Sequence, residues 1–261
     1  MTDLSAAEDR ASFEKSSGFA RVAAGFISPS GNRLIERQFA RFAPDGFATH
    51  AARLRMNGQH KKGLVQLLDA VAQSAETLAD AGVDLIGFHC TANAIEHGPE
   101  GEARIRETIT RSTGLPAVST GQAICDALRA VGVRRLVLVT PYVQSTNDHE
   151  RDYLAAEGFE VVKDIALGSL WAERPAYHEI SPARWMEITR AAARDEADGF
   201  LLSCANTTQI DTIVPLEAEL GKAAINSNQA MLWAALSVVR SRLAPFAIPA
   251  FGTLMQAGAD A

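Results

Sequence analysis

The chain has 261 residues, of which 47% are hydrophobic and 21% are charged, and its formal net charge is −6. This acidic balance, without a dense run of lysine or arginine, argues against nucleic-acid binding, and no apolar stretch is long enough to span a bilayer. Residues 1–18 lack the apolar core of a secretory signal, so we interpret them as a flexible lead-in. Three cysteines match neither a disulfide framework nor a zinc pattern, which favours a reduced, cytoplasmic protein.

Short apolar runs alternate with amphipathic segments in the first part of the chain, and their periodicity predicts strands and helices. In chain order these are a strand at 22–27, a helix at 34–42, a strand at 47–54, a helix at 63–81, a strand at 85–88, a helix at 100–113, a strand at 117–119 and a helix at 121–131. A turn cluster, Ser28 to Asn32, follows the first of these strands.

The same alternation then restarts. It predicts a strand at 135–139, a helix at 148–157, a strand at 160–165, a helix near 180–192, a strand ending before Cys204, a helix at 210–220, a strand at 223–225 and a helix at 229–243. Strands that alternate with helices are typical of parallel sheets with right-handed crossovers.

Local matches in a constant order indicate that the chain is a duplicated unit. The pairs Pro29/Pro141, Cys90/Cys204 and Gly114/Gly221 are separated by 112, 114 and 107 residues. We therefore predict an α/β fold with two similar Rossmann-like (flavodoxin-like) halves, related by pseudo-twofold symmetry, with the active site between them. The predicted halves are 19–120 and 121–226, and a C-terminal helix, 227–261, is expected to pack back on the first half.

Cys90 and Cys204 each follow a short apolar run that ends in small polar residues. Ligands of open parallel sheets bind beyond the carboxyl ends of the strands, so we expect both thiols to face one cleft. A thiolate is a nucleophile and a base, and a thiol can return a proton. Such a pair could racemise a carbon centre without a cofactor, or isomerise a double bond through a covalent adduct.

The alternative for either cysteine alone is a small buried hydrophobe, and the repetition favours a functional pair. Cys125 lies within a helical pattern, and we expect it to be structural. His89 points to the opposite side of its strand from Cys90 if that strand continues, so we interpret it as a packed residue. An enediolate-like intermediate also needs hydrogen-bond donors, and the loops after Cys90 and Cys204 are rich in them.

These motifs resemble the aspartate/glutamate racemase superfamily, and within it the branch of maleate cis–trans isomerases and arylmalonate decarboxylases, over about residues 20–240. The resemblance implies two catalytic cysteines, and it assigns further residues to the substrate carboxylate through the Ser-Pro-Ser-Gly-Asn turn, the loops after the cysteines and the Thr-Pro-Tyr segment. The implied catalytic residues are Cys90 and Cys204, and the implied substrate-binding residues are Asn32, Thr91, Ala92, Tyr142, Ala205 and Asn206.

The resemblance implies a cofactor-independent isomerase of a small carboxylate or dicarboxylate, without a metal, with Cys90 as nucleophile in a maleate isomerase-like reaction. We also expect a dimer or larger homo-oligomer, because the apolar helix at Met231–Val239, or helices nearby, could support one. Decarboxylases of this branch carry one cysteine, at the second position, so two cysteines favour an isomerase. An amino-acid or hydantoin racemase, a decarboxylase and a non-catalytic carboxylate-binding protein stay as alternatives. Maleate isomerases carry a further Asn where this chain has Trp171, which leaves the substrate open. Trp171 and Arg174 either cap a bulkier pocket or belong to a surface loop.

Overall fold

Eight strands form two four-stranded parallel sheets in the computed structural model, which describes residues 21–56, 62–170 and 177–257. The strands are β1 (Val22–Pro29), β2 (Phe47–Leu54), β3 (Leu85–Phe88), β4 (Ala117–Ser119), β5 (Arg135–Thr140), β6 (Glu160–Ala166), β7 (Gly199–Leu202) and β8 (Ala223–Asn226). Their order is β2-β1-β3-β4 in the first sheet and β6-β5-β7-β8 in the second. The predicted α/β fold with two similar parallel halves is therefore confirmed.

Helices flank both sheets. They are α1 (Ile35–Phe42), α2 (Leu64–Asp80), α3 (Thr91–Ile95), α4 (Gly98–Thr113), α5 (Thr120–Ala130), α6 (Gln144–Ala156), α7 (Leu167–Leu170), α8 (Pro182–Ala192), α9 (Ile213–Leu220), α10 (Ser227–Val239) and α11 (Gly252–Ala257). Short 3-10 turns lie at Tyr177–Glu179, Gln209–Thr212, Arg240–Arg242 and Pro249–Phe251. No helix within the described ranges is long and apolar enough to cross a membrane.

The two sheets share their register as well as their strand order. Ile27 pairs with Phe88 at the end of the first central pair of strands, and Val139 pairs with Leu202 in the second. Every residue of β3 and of β7 is buried, as expected for strands that are covered on both faces. The segments that follow these central strands therefore begin at equivalent heights in the two halves.

Two aspartates fix the start of the central strands in the same way. Asp84, just before β3, accepts the backbone N–H of Ala23 at 2.8 Å. Asp198, just before β7, accepts the backbone N–H of Arg135, also at 2.8 Å. Each carboxylate therefore joins the start of its central strand to the neighbouring strand. The two halves thus match at the amino-terminal edge of the sheets as well as at the edge that holds the cysteines.

One hydrophobic cluster continues from the first half into the second. It joins Phe26 and Phe39 to Phe200 and to Met231 of α10. The close approach of α10 to the first sheet requires Gly87, because a Cβ at this position would lie 2.8 Å from the Phe26 ring and 3.2 Å from the Met231 sulfur. The shared core fixes the two sheets relative to each other, and with them the cleft.

The structure corrects three predicted boundaries. The residues after Cys90 form the short helix α3 rather than a loop. Helix α6 begins at Gln144, four residues earlier than predicted, because the polar side chain of Asn147 is buried against Thr140 and Asp164 instead of facing solvent. Helix α10 begins at Ser227 and ends at Val239 because Asn226 caps its start and a 3-10 turn follows.

Some predicted features lie outside the described residues: the lead-in at 1–18, and Trp171 and Arg174. The predicted C-terminal helix, 227–261, is divided within the described part into α10 and α11. Helix α10 contacts α5 most extensively and also α1, β3, β4 and β8, whereas α11 contacts β8, α9 and α5. The boundaries at 120/121 and 226/227 stay a proposal.

Candidate active site

A cavity of about 330 Å³ opens at the carboxyl ends of β1, β3, β5 and β7, the two central strands of each sheet. Each of these strands is followed by a segment that reaches the cavity wall. All eight site residues predicted from the sequence line it: Asn32, Cys90, Thr91, Ala92, Tyr142, Cys204, Ala205 and Asn206. The duplicated topology therefore brings together residues that are up to 174 positions apart in the sequence.

Cys90 lies between β3 and α3 and is 7% exposed. Its sulfur accepts a hydrogen bond from Nδ2 of Asn93 at 3.0 Å, and the Asn93 backbone also contacts it. Burial raises the pKa of the Cys90 thiol, the two contacts with Asn93 act in the opposite direction, and the carboxylate of Glu96 adds to the rise. The site thus combines an apolar setting that favours the thiol with local donors that favour the thiolate.

Cys204 occupies the equivalent place after β7 and is 5% exposed. The hydroxyl of Tyr142 bonds its sulfur, and the backbone N–H of Asn206 lies 3.4 Å from it. Burial raises the pKa of Cys204 to about 12, and negative charge on Cys90 contributes to that rise. Because negative charge on one sulfur opposes ionisation of the other, the cavity disfavours two thiolates at the same time.

Tyr142 follows β5 and is buried beside Cys204. Burial and the nearby negative groups, Cys204 first among them, raise the pKa of its hydroxyl well above the ordinary value. The hydroxyl therefore stays protonated and can donate a hydrogen bond to an anion. The ring of Tyr177 packs edge-on against the ring of Tyr142, with 6.2 Å between their centroids.

Two asparagines join the halves across the base of the cavity. Asn32 donates from Nδ2 to the Ala205 carbonyl at 2.9 Å, and its Oδ1 accepts the backbone N–H groups of Leu34 and Ile35. Asn206 accepts the backbone N–H of Arg33 at 2.9 Å. An amide nitrogen carries two hydrogens, so Asn32 retains one for a bound carboxylate.

The model of the family described as arylmalonate decarboxylase matches residues 23–249, which is most of the chain. The chain belongs to the arylmalonate decarboxylase family. This result confirms the family resemblance inferred from the two cysteine segments and the Ser-Pro-Ser-Gly-Asn and Thr-Pro-Tyr turns.

Named relatives of this family member carry two activities. Arylmalonate decarboxylase of Bordetella bronchiseptica is 27% identical over 212 residues, which cover 81% of this chain and 88% of the relative. Maleate isomerase of Pseudomonas putida is 28% identical over 245 residues, covering 88% and 96%. Maleate isomerase of Geobacillus stearothermophilus is 26% identical over 214 residues, covering 76% and 83%.

Solved structures of the same two kinds of enzyme match the fold. A glycine-to-cysteine mutant of arylmalonate decarboxylase with an associated sulfate ion superposes with a TM-score of 0.79 at 26% identity, covering 90% of this chain and 99% of that one. A cysteine-to-alanine variant of the maleate isomerase Iso from Pseudomonas putida S16, solved with maleate, gives a TM-score of 0.78 at 26% identity, covering 91% and 98%.

Ser227, at the start of α10, connects the two cysteine segments of this family member. Its hydroxyl oxygen accepts the hydroxyl of Thr91 at 3.1 Å and the backbone N–H of Cys204 at 3.0 Å. The hydroxyl hydrogen of Thr91 is therefore directed at Ser227 rather than at the cavity. Ser227 was not among the predicted site residues, although the Gly114/Gly221 match pairs it with Thr120.

His89 supports the site from behind, as expected. It is fully buried, with Nδ1 3.0 Å from the Thr120 hydroxyl and Nε2 2.6 Å from Oδ1 of Asn228. Burial lowers the pKa of His89 to about 4, so the ring is neutral at ordinary pH. Asn228 donates in turn to the Ala205 carbonyl at 3.2 Å. Cys125 packs in the core, also as expected.

The remaining cavity wall was not predicted. It includes Met56, Glu96, Thr146, His149 and Tyr177. Thr146 and His149 lie on the first turns of α6, and Thr146 precedes the helix predicted at 148–157. A helix that begins at Gln144 places the two side chains on one face, since residues three apart share a helix face.

Proposed function

We propose that this protein is an isomerase of a small carboxylate, in which Cys90 and Cys204 act as a nucleophile/acid or base/acid pair without a cofactor. One observation carries the proposal: two buried thiols from equivalent strand ends line a single cavity, and ionisation of one opposes ionisation of the other. When one sulfur ionises to attack or to accept a proton, this coupling keeps the other protonated and able to donate.

The family supports an isomerase over a decarboxylase through the number of cysteines. Maleate isomerases and an arylmalonate decarboxylase are both relatives. The resemblance described above assigns one cysteine to the decarboxylases, at the position of Cys204. In an isomerisation, a second thiol at position 90 can add to the substrate or receive a proton. A decarboxylation that needs one acid gives this second thiol no role.

A cis–trans isomerisation would begin with addition of the Cys90 thiolate to one carbon of the double bond. A C–S bond forms, the π electron pair moves toward the carboxylate, and the Cys204 thiol protonates the neighbouring carbon. Rotation about the resulting single bond follows. The Cys204 thiolate then removes the proton, the C–S bond breaks and the trans isomer leaves. Asn32, Tyr142 and backbone N–H groups would hold the carboxylate.

A racemase is the second candidate, because the same two thiols suit it. One thiolate would remove the Cα proton, and the opposite thiol would deliver a proton to the other face of the planar anion. Both candidates need the same residues in the same ionisation state, and they differ only in whether sulfur bonds to carbon.

Proton NMR in heavy water would distinguish the candidates. The panel holds maleate, substituted maleates, aspartate, glutamate, a hydantoin and an arylmalonate. Conversion of a cis diacid to its trans isomer is the expected result. Deuterium exchange at Cα without net conversion would establish the racemase instead. No reaction with any compound, together with slow alkylation of both thiols, would contradict an enzymatic role and favour a carboxylate-binding protein.

Tyr142→Phe should lower kcat/KM about 100-fold, because it removes the hydroxyl whose single hydrogen bonds the Cys204 sulfur and would turn to a bound carboxylate. Steady-state kinetics on the substrate found by NMR would measure the change. Tyr153→Phe is a matched control, since it also removes a buried hydroxyl, which donates to Glu102 outside the cavity. That control should lower stability and leave kcat/KM within about threefold. Equal losses in the two variants would contradict the assigned role of Tyr142.

We also propose a cytoplasmic location and a dimer or larger homo-oligomer. Cys90, Cys125 and Cys204 are all free and buried, which fits a reducing compartment. Light scattering coupled to size-exclusion chromatography would give the oligomeric state directly.

A further inference from the structure

Asn93 has a contact that the reaction described above does not use. It lies on α3, three residues after Cys90, and it is partly buried at the cavity wall. Its side-chain nitrogen donates to the Cys90 sulfur at 3.0 Å, and its backbone reaches the same sulfur. The residue at the equivalent place after Cys204 is Thr207, whose hydroxyl bonds the Cys204 carbonyl and not its sulfur.

We propose that Asn93 is a positioning residue that makes the thiolate of Cys90 accessible in an apolar cavity and aims it at the substrate. The inference rests on the proposed function, because it assigns Asn93 to the sulfur that starts that reaction. Asn93 would thereby make the two halves of the cavity chemically unequal.

The chemistry of the donor supports this role. A primary amide donates hydrogen bonds but does not release its proton at ordinary pH, so it can stabilise a sulfur anion without protonating it. Hydrogen bonds to charged groups are stronger than those between neutral groups, so the contact is worth more to the thiolate than to the thiol. Cys204 instead has a hydroxyl, that of Tyr142, as its side-chain partner.

The other ionisable groups around the cavity do not replace this donor. Glu96, which follows the last residue of α3, opposes ionisation of Cys90. Cys204 and Tyr142 face Cys90 from the second half, and negative charge on Cys90 disfavours their own ionisation. His149 reaches the cavity from α6. The side chain that donates a hydrogen bond to the Cys90 sulfur is that of Asn93, which is not ionisable.

The test measures alkylation of each cysteine by iodoacetamide between pH 7 and 9.5, with mass spectrometry to assign the modified residue. Asn93→Leu keeps the approximate size of the side chain and removes the donor. It should slow alkylation of Cys90 about three- to tenfold at each pH, since a lost charge-assisted bond lowers the thiolate population while the remaining thiolate becomes more nucleophilic. Asn93→Asp places a carboxylate against the sulfur and should slow Cys90 further.

Cys204 provides an internal control in the same samples. Its partners are Tyr142 and Asn206, so Asn93→Leu should not slow its alkylation, and less negative charge on Cys90 would if anything speed it. In steady-state kinetics this variant should lower kcat and leave KM within about twofold, because the contact acts on the reacting sulfur.

Three results would overturn the proposal: an unchanged Cys90 alkylation rate in Asn93→Leu, an equal slowing of Cys90 and Cys204, or faster alkylation of Cys90 in Asn93→Asp than in Asn93→Leu. Alkylation needs no substrate, so its outcome is separate from that of the NMR panel. Slowed alkylation of Cys90 without any turnover would support the role of Asn93 and contradict the isomerase. Turnover together with an unchanged Cys90 alkylation rate in Asn93→Leu would support the isomerase and contradict the role of Asn93.

Discussion

Cys90→Ala and Cys204→Ala should each lower kcat/KM about a thousandfold or more while the protein stays folded. Either change removes one of the two sulfurs that line the cavity, and general acid–base catalysis alone contributes about 10²–10⁴-fold. The double variant should be little worse than either single variant, since the two groups act as a unit. Steady-state kinetics on the substrate identified by NMR, with circular dichroism as the test of folding, would measure both effects.

Cys125→Ala is the matched control for these variants. It removes a third buried thiol, which packs in the hydrophobic core with Leu128 and Leu136 and does not line the cavity. It should lower the thermal midpoint slightly and leave kcat/KM unchanged. Full activity in Cys90→Ala would refute the two-cysteine mechanism and leave a reaction that depends on Cys204 alone, as the decarboxylase alternative requires.

Glu150→Gln should stabilise the protein by about 3 kcal/mol at pH 8.5 and have almost no effect near pH 4. Glu150 is 1% exposed, and its Oε2 has no hydrogen-bond partner among the described residues. Burial raises the pKa of its carboxyl from 4.5 to about 7. An uncharged amide of the same shape avoids the cost of a buried negative charge, which the Ser203 hydroxyl offsets only in part.

The pH dependence follows from the direction of the shift. A carboxyl with a raised pKa binds its proton more tightly in the folded state, so its favourable contribution is complete below about pH 4.5. That contribution declines as the pH rises and is lost above about pH 7. Urea unfolding at several pH values should therefore give diverging free energies of unfolding for the wild type and Glu150→Gln, with the gap opening between these limits.

Asp152→Asn is the control for this second prediction. Asp152 is an exposed carboxylate on the same helix, so its replacement should leave the pH dependence of stability as in the wild type. Parallel curves for the wild type and Glu150→Gln would show that Glu150 is solvated in solution. Ionised Glu150 also raises the pKa of Cys204 and Tyr142. The same variant therefore tests how the charge of Glu150 affects the ionisation of these two groups.

The strands and the cysteines were predictable because their signals are local. Leu85–Phe88 and Gly199–Leu202 are short, wholly buried runs, and a parallel sheet places whatever follows them at one edge. The repeat then pairs Cys90 with Cys204. By contrast, the start of α6 was missed because its first turn is polar, and only the tertiary position of Asn147 shows that those polar groups are satisfied inside the protein.

Contacts between the halves could not be derived from local patterns. Ser227 lies 136 residues from Thr91, and His89 lies 139 residues from Asn228, so both partnerships depend on how the sheets pack. Asn32 illustrates the limit in another way. The family resemblance implied a role at the substrate carboxylate, whereas the structure shows that most of its hydrogen-bonding capacity also builds the loop and joins the halves.

The core shared by the two sheets has an implication for the ancestry of this chain. Phe26 and Phe39 of the first half share one buried cluster with Phe200 of the second half and Met231 of α10, so a half-length protein would expose much of this surface. An unduplicated ancestor would have needed a second copy of itself to cover that surface, with one cysteine from each copy at a true twofold axis. In such an ancestor the two sulfurs would have been identical by symmetry. In a fused chain each cysteine could acquire different neighbours, as Cys90 has Asn93 and Cys204 has Tyr142.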